Sequence, residues 1–246
     1  MQLSKRLSAV AGFVTPGYKV ADVGCDHAFT SIYLVANHIS PQVIAMDVNL
    51  GPLERAKENI EKYKVEDRII IRRSDGIKEL EPGEVDSVIL AGMGGILMTE
   101  ILSVRKDIVS TLKEMILQPQ SEISKVRRFV QDHGFLIMDE NMIKEEGKYY
   151  FVMKTKLKSM VENPETFELR EAVHFSFGRL LLERQNTLLL EYLLKELRTC
   201  EKIYDQLSLE QTENTESRKK DILSKIDLIN NGLKYFNKGE MKIGGK

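Results

Sequence analysis

The strongest constraint on this chain is an alternation that runs through its first 158 residues. Short β-branched runs (Tyr18 to Val23, Val43 to Met46, Arg68 to Arg72, Val85 to Leu90, Glu114 to Leu117) are separated by segments of helical length. Runs that are apolar throughout, such as Val88-Ile89-Leu90, suit parallel strands covered on both faces. Strands alternating with helices imply right-handed βαβ units and a doubly wound α/β sheet. Asn49 ahead of Gly51-Pro52 supplies a cap and a first-turn proline for a helix over Leu53 to Tyr63. After a helix around Glu122 to Asp132, the runs Phe135 to Met142 and Tyr149 to Leu157 flank Lys144-Glu145-Glu146-Gly147. They predict an antiparallel hairpin at one edge of the sheet.

From Ser159 the period changes. Leu190, Leu193, Leu197, Cys200, Tyr204 and Leu207 follow heptad spacing, and so do Ile222, Ile226, Ile229, Leu233 and Phe236. With the polar stretch Glu210 to Ser217 between them, these stripes predict an antiparallel coiled-coil hairpin, hence a second domain over 159–246 after a first over 1–158. Cys200 in that seam reads as a packed thiol. The tail Gly239 to Lys246 reads as frayed. Thirty-six Lys plus Arg against thirty-seven Asp plus Glu gives a net charge of −1, so any polyanion must be gripped by local patches rather than by bulk charge. Two cysteines are too few for a disulfide framework or a cysteine zinc site. No run approaches the roughly 18 apolar residues of a membrane span, and the reading is a soluble cytoplasmic protein.

In an open α/β sheet, ligands bind outside the carboxyl ends of the strands, where strand order reverses. Four strand ends here carry chemistry. The first is Asp22-Val23-Gly24-Cys25-Asp26-His27-Ala28. Gly24 allows a tight turn, but the full G-x-G-x-x-G is absent, and a carboxylate stands where a pyrophosphate would sit. That argues against a dinucleotide and suits a cationic group, such as the amino acid half of S-adenosylmethionine. The second is Asp47, placed to accept from both ribose hydroxyls. The third is Ser74-Asp75-Gly76, able to read an adenine edge. The fourth is Ala91-Gly92-Met93-Gly94-Gly95, a close turn that leaves free amides at a helix N-terminus. Each has a plainer reading: Asp47, or Asp26 and His27, as helix caps, and the glycine turn as a tight connection.

Taken together, these motifs resemble those of the bacterial tRNA adenine-22 N1-methyltransferases, class I enzymes that use S-adenosylmethionine. The resemblance runs through Leu3-Ser4-Lys5-Arg6-Leu7, the Gly-x-Asp-His-Ala turn, Asp47-Val48-Asn49, Ser74-Asp75-Gly76, the Gly-Met-Gly-Gly loop, Leu117-Gln118-Pro119 and the C-terminal hairpin. It implies that Arg6, Asp22, Gly24, Asp26, His27, Asp47, Val48, Asp75, Gly76, Ala91, Gly92 and Met93 hold the donor. Asp26, His27, Met93 and Gly94 would position the acceptor adenine. A target on the Watson–Crick edge must be opened or flipped out. Met93 would pack on the freed base, and Tyr149 or Tyr150 would stack on it, unless both tyrosines are ordinary strand content. Arg6 equally reaches for the donor carboxylate. One departure is Arg179 after Phe177-Gly178, where a proline is expected at the junction.

For RNA, the candidate contacts are Lys5, Arg72, Arg73, Lys125, Arg127 and Arg128, each equally readable as a solvated surface charge. His38, His133 and His174 show no ligand spacing. The reading expects tRNA as partner, a monomer, no metal and no membrane. Its alternatives are a methyltransferase for a small molecule or protein, and a non-catalytic donor-binding or partner-binding module.

Overall fold

The computed structural model describes residues 1–209 and 213–236. Two compact units divide the chain, Met1–Glu168 and Leu169–Lys246. The pattern changes at Ser159, yet the first unit continues to Glu168, because the short turns after the last strand fold back on it. There the Lys158 ammonium donates to Glu168 Oε1 at 2.6 Å.

The first unit is one seven-stranded sheet in the order β3-β2-β1-β4-β5-β7-β6. Strands β1 (Val20–Val23), β2 (Val43–Asp47), β3 (Ile69–Arg73), β4 (Ser87–Met93) and β5 (Glu114–Pro119) run parallel. β6 (Phe135–Glu145) and β7 (Lys148–Leu157) form the antiparallel hairpin at one edge. Glu146 and Gly147 both take positive φ, the signature of a two-residue turn whose twist matches the strands. The buried runs Val20 to Val23, Val88 to Leu90 and Met115 to Leu117 confirm strands covered on both faces.

Helices α1 (Lys5–Phe13), α2 (Phe29–Ala36), α3 (Leu50–Tyr63), α4 (Gly95–Val104), α5 (Lys106–Val109) and α6 (Ile123–Asp132) cover the sheet. α2 buries Ile32, Leu34 and Val35 completely, and burying a side chain of that size contributes about 1.5–3 kcal/mol. Chain order moves one way from β1 to β3 and the other way from β4 to β5. Right-handed crossovers therefore put α2 and α3 on the opposite face from α4, and a crevice opens between β1 and β4. α3 starts three residues earlier than the Leu53 expected. Asn49 occupies its cap position but makes no side-chain cap bond; its backbone N–H donates to Asp47 Oδ1 at 2.9 Å.

The second unit comprises α7 (Ala172–Phe177), α8 (Arg179–Glu183), α9 (Thr187–Ser208) and α10 (Glu213–Leu233). α9 and α10 pack along each other. Leu193 faces Gly232 while Glu196 pairs with Lys225, so the two run antiparallel. Leu189, not the expected Leu190, begins the buried stripe of α9, which continues through Leu193, Cys200 and Leu207. α10 begins inside the stretch read as a polar turn, of which 210–212 lie outside the described residues, as does the tail Gly239 to Lys246. At Arg179, where a proline was expected, the guanidinium pairs with Glu183 at 2.6 Å, and the bend is made by Gly178 at φ +88°. Among the described residues, no helix is long and apolar enough to cross a membrane.

Candidate active site

The turn after β1 is wound tightly. Gly24 has φ +75°, and its amide and that of Cys25 both donate to the Met46 carbonyl, at 2.8 and 3.0 Å. Asp26 and Ala28 follow in the left-handed region, which costs non-glycine residues about 1–2 kcal/mol each. Neither Asp26 nor His27 caps α2: the helix starts at Phe29 without a side-chain cap bond. The Asp26 carboxylate instead accepts from Arg55 Nη2 at 2.8 Å, and the His27 ring stacks on Phe29 with centroids 5.5 Å apart. Asp22 lies buried beneath them and accepts from Ser31 Oγ at 2.7 Å. Burial pushes its carboxyl up to about 6, although the Ser31 hydrogen bond works the other way. Cys25 is buried too, and desolvation with the nearby Asp22 and Asp47 drives its thiol well above the usual range, so it is no nucleophile.

Next along the rim, half-buried Asp47 ends β2 and Val48 is exposed. Beyond β3, the Ser74 amide donates to the Asp47 carbonyl at 3.0 Å, and Ser74 Oγ donates to the Gly76 carbonyl at 2.8 Å. Asp75 pairs with Lys78. Gly76 has φ +63°, and a Cβ there would come within 2.7 Å of Ile101 Cγ2.

At the end of β4, the Gly92 amide donates to Gln118 Oε1 at 3.1 Å and the Gly95 amide to the Ser121 carbonyl at 3.1 Å. Two amides expected to be free are therefore taken, because the loop is laced to the β5–α6 connection. Gly94 takes the cap position of α4, and the Met93 methyl lies 3.1 Å from where a Gly24 Cβ would stand. Arg6 reaches the same place from α1: its Nη1 donates to Gln118 Oε1 at 2.8 Å, and its guanidinium lies 5.7 Å from the centroid of the Tyr150 ring. Tyr149, its neighbour on the strand, carries Lys144 on its ring at 5.5 Å.

These pieces enclose a cleft of about 240 Å³ walled by Asp22, Asp26, His27, Thr30, Arg6 and Gln120, with Gly24, Ala91 and Gly92 completing the lining. Asp47, Val48, Asp75, Gly76, Met93 and Gly94 lie outside this small cleft, at the ends of the neighbouring strands or in the turns that follow them. Sequence reasoning gave no role to Gln118, Gln120, Thr30 or Arg55. The available signals were the Leu117-Gln118-Pro119 match in the resemblance and a glutamine directly after the apolar run Met115 to Leu117 of β5.

One of the candidate RNA contacts is corrected, and another is held in an ion pair. Arg127 is completely buried, its Nε donates to Glu140 Oε1 at 2.8 Å, and its guanidinium sits 5.3 Å from the Phe151 ring centroid, so it is unable to touch a phosphate. Arg72 spends both terminal nitrogens on Glu84, each at 2.7 Å. Lys5, Arg73, Lys125 and Arg128 are exposed, with Arg73 Nε donating to the Val48 carbonyl at 3.1 Å and Lys125 paired with Glu122 at 2.9 Å.

Residues 3–153 match the family described as a methyltransferase domain. The tRNA (adenine(22)-N(1))-methyltransferase of Bacillus subtilis (strain 168) is 31% identical over 234 residues, covering 93% of this chain and 96% of that protein. The chain belongs to the tRNA (adenine(22)-N(1))-methyltransferase family. Solved structures agree over nearly the full length. The B. subtilis M1A22 tRNA methyltransferase TrmK superimposes with a TM-score of 0.84 at 29% identity, covering 94% of this chain and 99% of that one. M. capricolum TrmK, solved in complex with its natural cofactor product S-adenosyl-homocysteine, gives 0.81 at 25% identity, with 96% and 99% covered. Membership in this family accounts for the mostly parallel sheet, the antiparallel edge and the C-terminal helices together.

Proposed function

We propose that this enzyme transfers the methyl group of S-adenosylmethionine to N1 of adenine 22 in the D arm of bacterial tRNA, in the cytoplasm. The observation that carries this is the full-length relationship to the B. subtilis enzyme, both units included. The cleft supports the donor. Its walls offer carboxylates (Asp22, Asp26) and a guanidinium (Arg6) within one small space, complementary to a zwitterionic amino acid. At Gly24 and Gly92 a Cβ would crowd Met93 and Arg6. The residues present therefore fit the group. Asp22 and Asp26 face its ammonium and Arg6 its carboxylate, while His27 and Ala91 line the walls. Asp47 takes the ribose hydroxyls, Val48 packs on the adenine, and Asp75 and Gly76 read its edge. When bound, the donor supplies an electrophilic methyl on a sulfonium.

Adenine N1 carries an in-plane lone pair and no proton at neutral pH, so this chain needs no general base before transfer. Its work is to orient, which is worth about 7–11 kcal/mol when reactants are well placed. Met93 and Gly94 shape the loop that presents the base, and Tyr150, the one tyrosine of the pair beside Arg6, stacks on it for about 1–3 kcal/mol. Asp26 and His27, at the mouth, help position the base, and loss of an N6 proton afterwards relieves the positive charge that develops on it. Lys5, Arg73, Lys125 and Arg128 contact phosphates, and the helices of 159–246 brace the folded RNA by shape.

Incubating the protein with labelled donor and unmodified tRNA, then digesting to nucleosides, tests this. Label in 1-methyladenosine is expected. Label in another nucleoside, or none in RNA despite donor binding, refutes it.

A further inference from the structure

Gln118, next to last in β5, is completely buried, with every polar atom of its side chain engaged. Its Oε1 accepts from Arg6 Nη1 at 2.8 Å and from the Gly92 amide at 3.1 Å. Its Nε2 donates to the Pro119 carbonyl at 3.2 Å, which fixes the orientation: a flipped carboxamide would point its NH2 at two donors. Arg6 belongs to α1 and Gly92 to the end of β4, so one oxygen joins two segments that the chain brings from far apart. The two approach closely: a Cβ on Gly92, whose φ is +81°, would stand 3.3 Å from Arg6 Nη1. On its other side the guanidinium meets the Tyr150 ring. A guanidinium has five N–H donors, and the bond to Gln118 leaves others to face the cleft.

We infer that Gln118 is a positioning residue that couples the donor end of the cleft to the acceptor loop. By holding Arg6 and Gly92 on one atom, it sets the guanidinium that receives the donor carboxylate and the loop that presents the base. This rests on the reading of the cleft given above. A carboxamide suits the task better than its neighbours in size. Leucine offers no acceptor, asparagine is too short for this reach, and glutamate adds a charge that competes with the ligand for Arg6.

The test compares wild type, Gln118→Leu, Arg6→Met, the double variant and Gln118→Glu. Calorimetric titration with S-adenosylhomocysteine, which keeps the amino acid carboxylate, reads donor affinity. Methyl transfer to tRNA at saturating donor reads kcat, and circular dichroism checks folding. Gln118→Leu is expected to weaken donor affinity and to lower kcat, each about tenfold, the scale of one hydrogen bond to a charged group. In the Arg6→Met background the same change leaves donor affinity within about twofold and still lowers kcat, because Gly92 alone loses its acceptor. Gln118→Glu keeps the oxygen that accepts from Arg6 and Gly92 but loses the donor to the Pro119 carbonyl, so it retains more kcat than Gln118→Leu and loses donor affinity. Additive donor losses in the two backgrounds, or unchanged kcat in Gln118→Leu, overturn the inference. Should Gln118→Leu fail to fold, the split in Gln118→Glu decides: a fall in kcat with donor affinity intact overturns it as well. A wild-type protein inactive on tRNA refutes the functional reading instead, and is seen in a separate assay.

Discussion

Replacing Asp22 with asparagine probes the electrostatics of the cleft floor. Burial holds the Asp22 carboxyl at about 6, against an ordinary 3.8. Between those values the native protein keeps a proton that the unfolded chain has released. Stability therefore falls as pH rises through this window and levels off above 6, at a full cost of about 3 kcal/mol. The Asp22→Asn variant has no such titration. Relative to wild type it should gain about 2–3 kcal/mol between pH 4 and pH 7, whatever constant offset its amide introduces. Urea denaturation of both proteins across that range measures the difference directly. At pH 7 the variant should also bind S-adenosylhomocysteine at least tenfold more weakly, since the charge proposed to face the ammonium is gone. A stability difference that does not change with pH would refute the reasoning, as would equal donor affinity.

Other substitutions separate the remaining assignments. Asp47→Ala should raise the donor Kd by about 30-fold or more, roughly 2 kcal/mol, while the loss of its bond from the Asn49 N–H lowers stability by only about 1 kcal/mol; calorimetry checks the first and denaturant melts the second. Arg127→Met should destabilise the first unit by about 3–5 kcal/mol, read by denaturant melts, because Glu140 is left buried without its partner, while the KM for tRNA in the folded fraction stays constant. Gly95→Ala should cost about 2 kcal/mol or more, also read by denaturant melts, despite the usual preference of helices for alanine. Its Cβ would stand 2.5 Å from the Ser121 carbonyl oxygen, a backbone atom that has no easy way to move. Arg73→Ala with Lys125→Ala should weaken tRNA binding and lower the salt slope by about 2, measured by filter binding over a range of salt, with donor affinity unaffected.

The fold was legible because burial on both faces leaves a clear pattern. Continuous apolar runs marked the inner strands, and Lys144-Glu145-Glu146-Gly147 marked the hairpin turn, which the structure narrows to Glu146-Gly147. The rim of the sheet was legible because its glycines and carboxylates cluster at strand ends. Pairings in three dimensions were not. Arg127 looks the same as Arg128 in a basic run, and only the register of β6, which brings Glu140 beside α6, buries the first and exposes the second. Arg72 differs from Arg73 by its ion pair with Glu84, another pairing that sequence does not show. Asn49 carries a capping residue's identity and stands at the cap position, yet its side chain makes no cap bond, an outcome that composition does not reveal. Gln118 was visible as part of Leu117-Gln118-Pro119 and as a polar residue following an apolar run, and its role depends on Arg6, 112 positions away.

The most direct test places the methyl group on the RNA. Two transcripts of a bacterial tRNA, one with adenine and one with guanine at position 22, are incubated with the protein and labelled donor, and the modified nucleotide is mapped by nuclease fragments. The account predicts one methyl group at N1 of nucleotide 22 in the first transcript and none in the second. Equal labelling of both, or label that maps to another position, would contradict it.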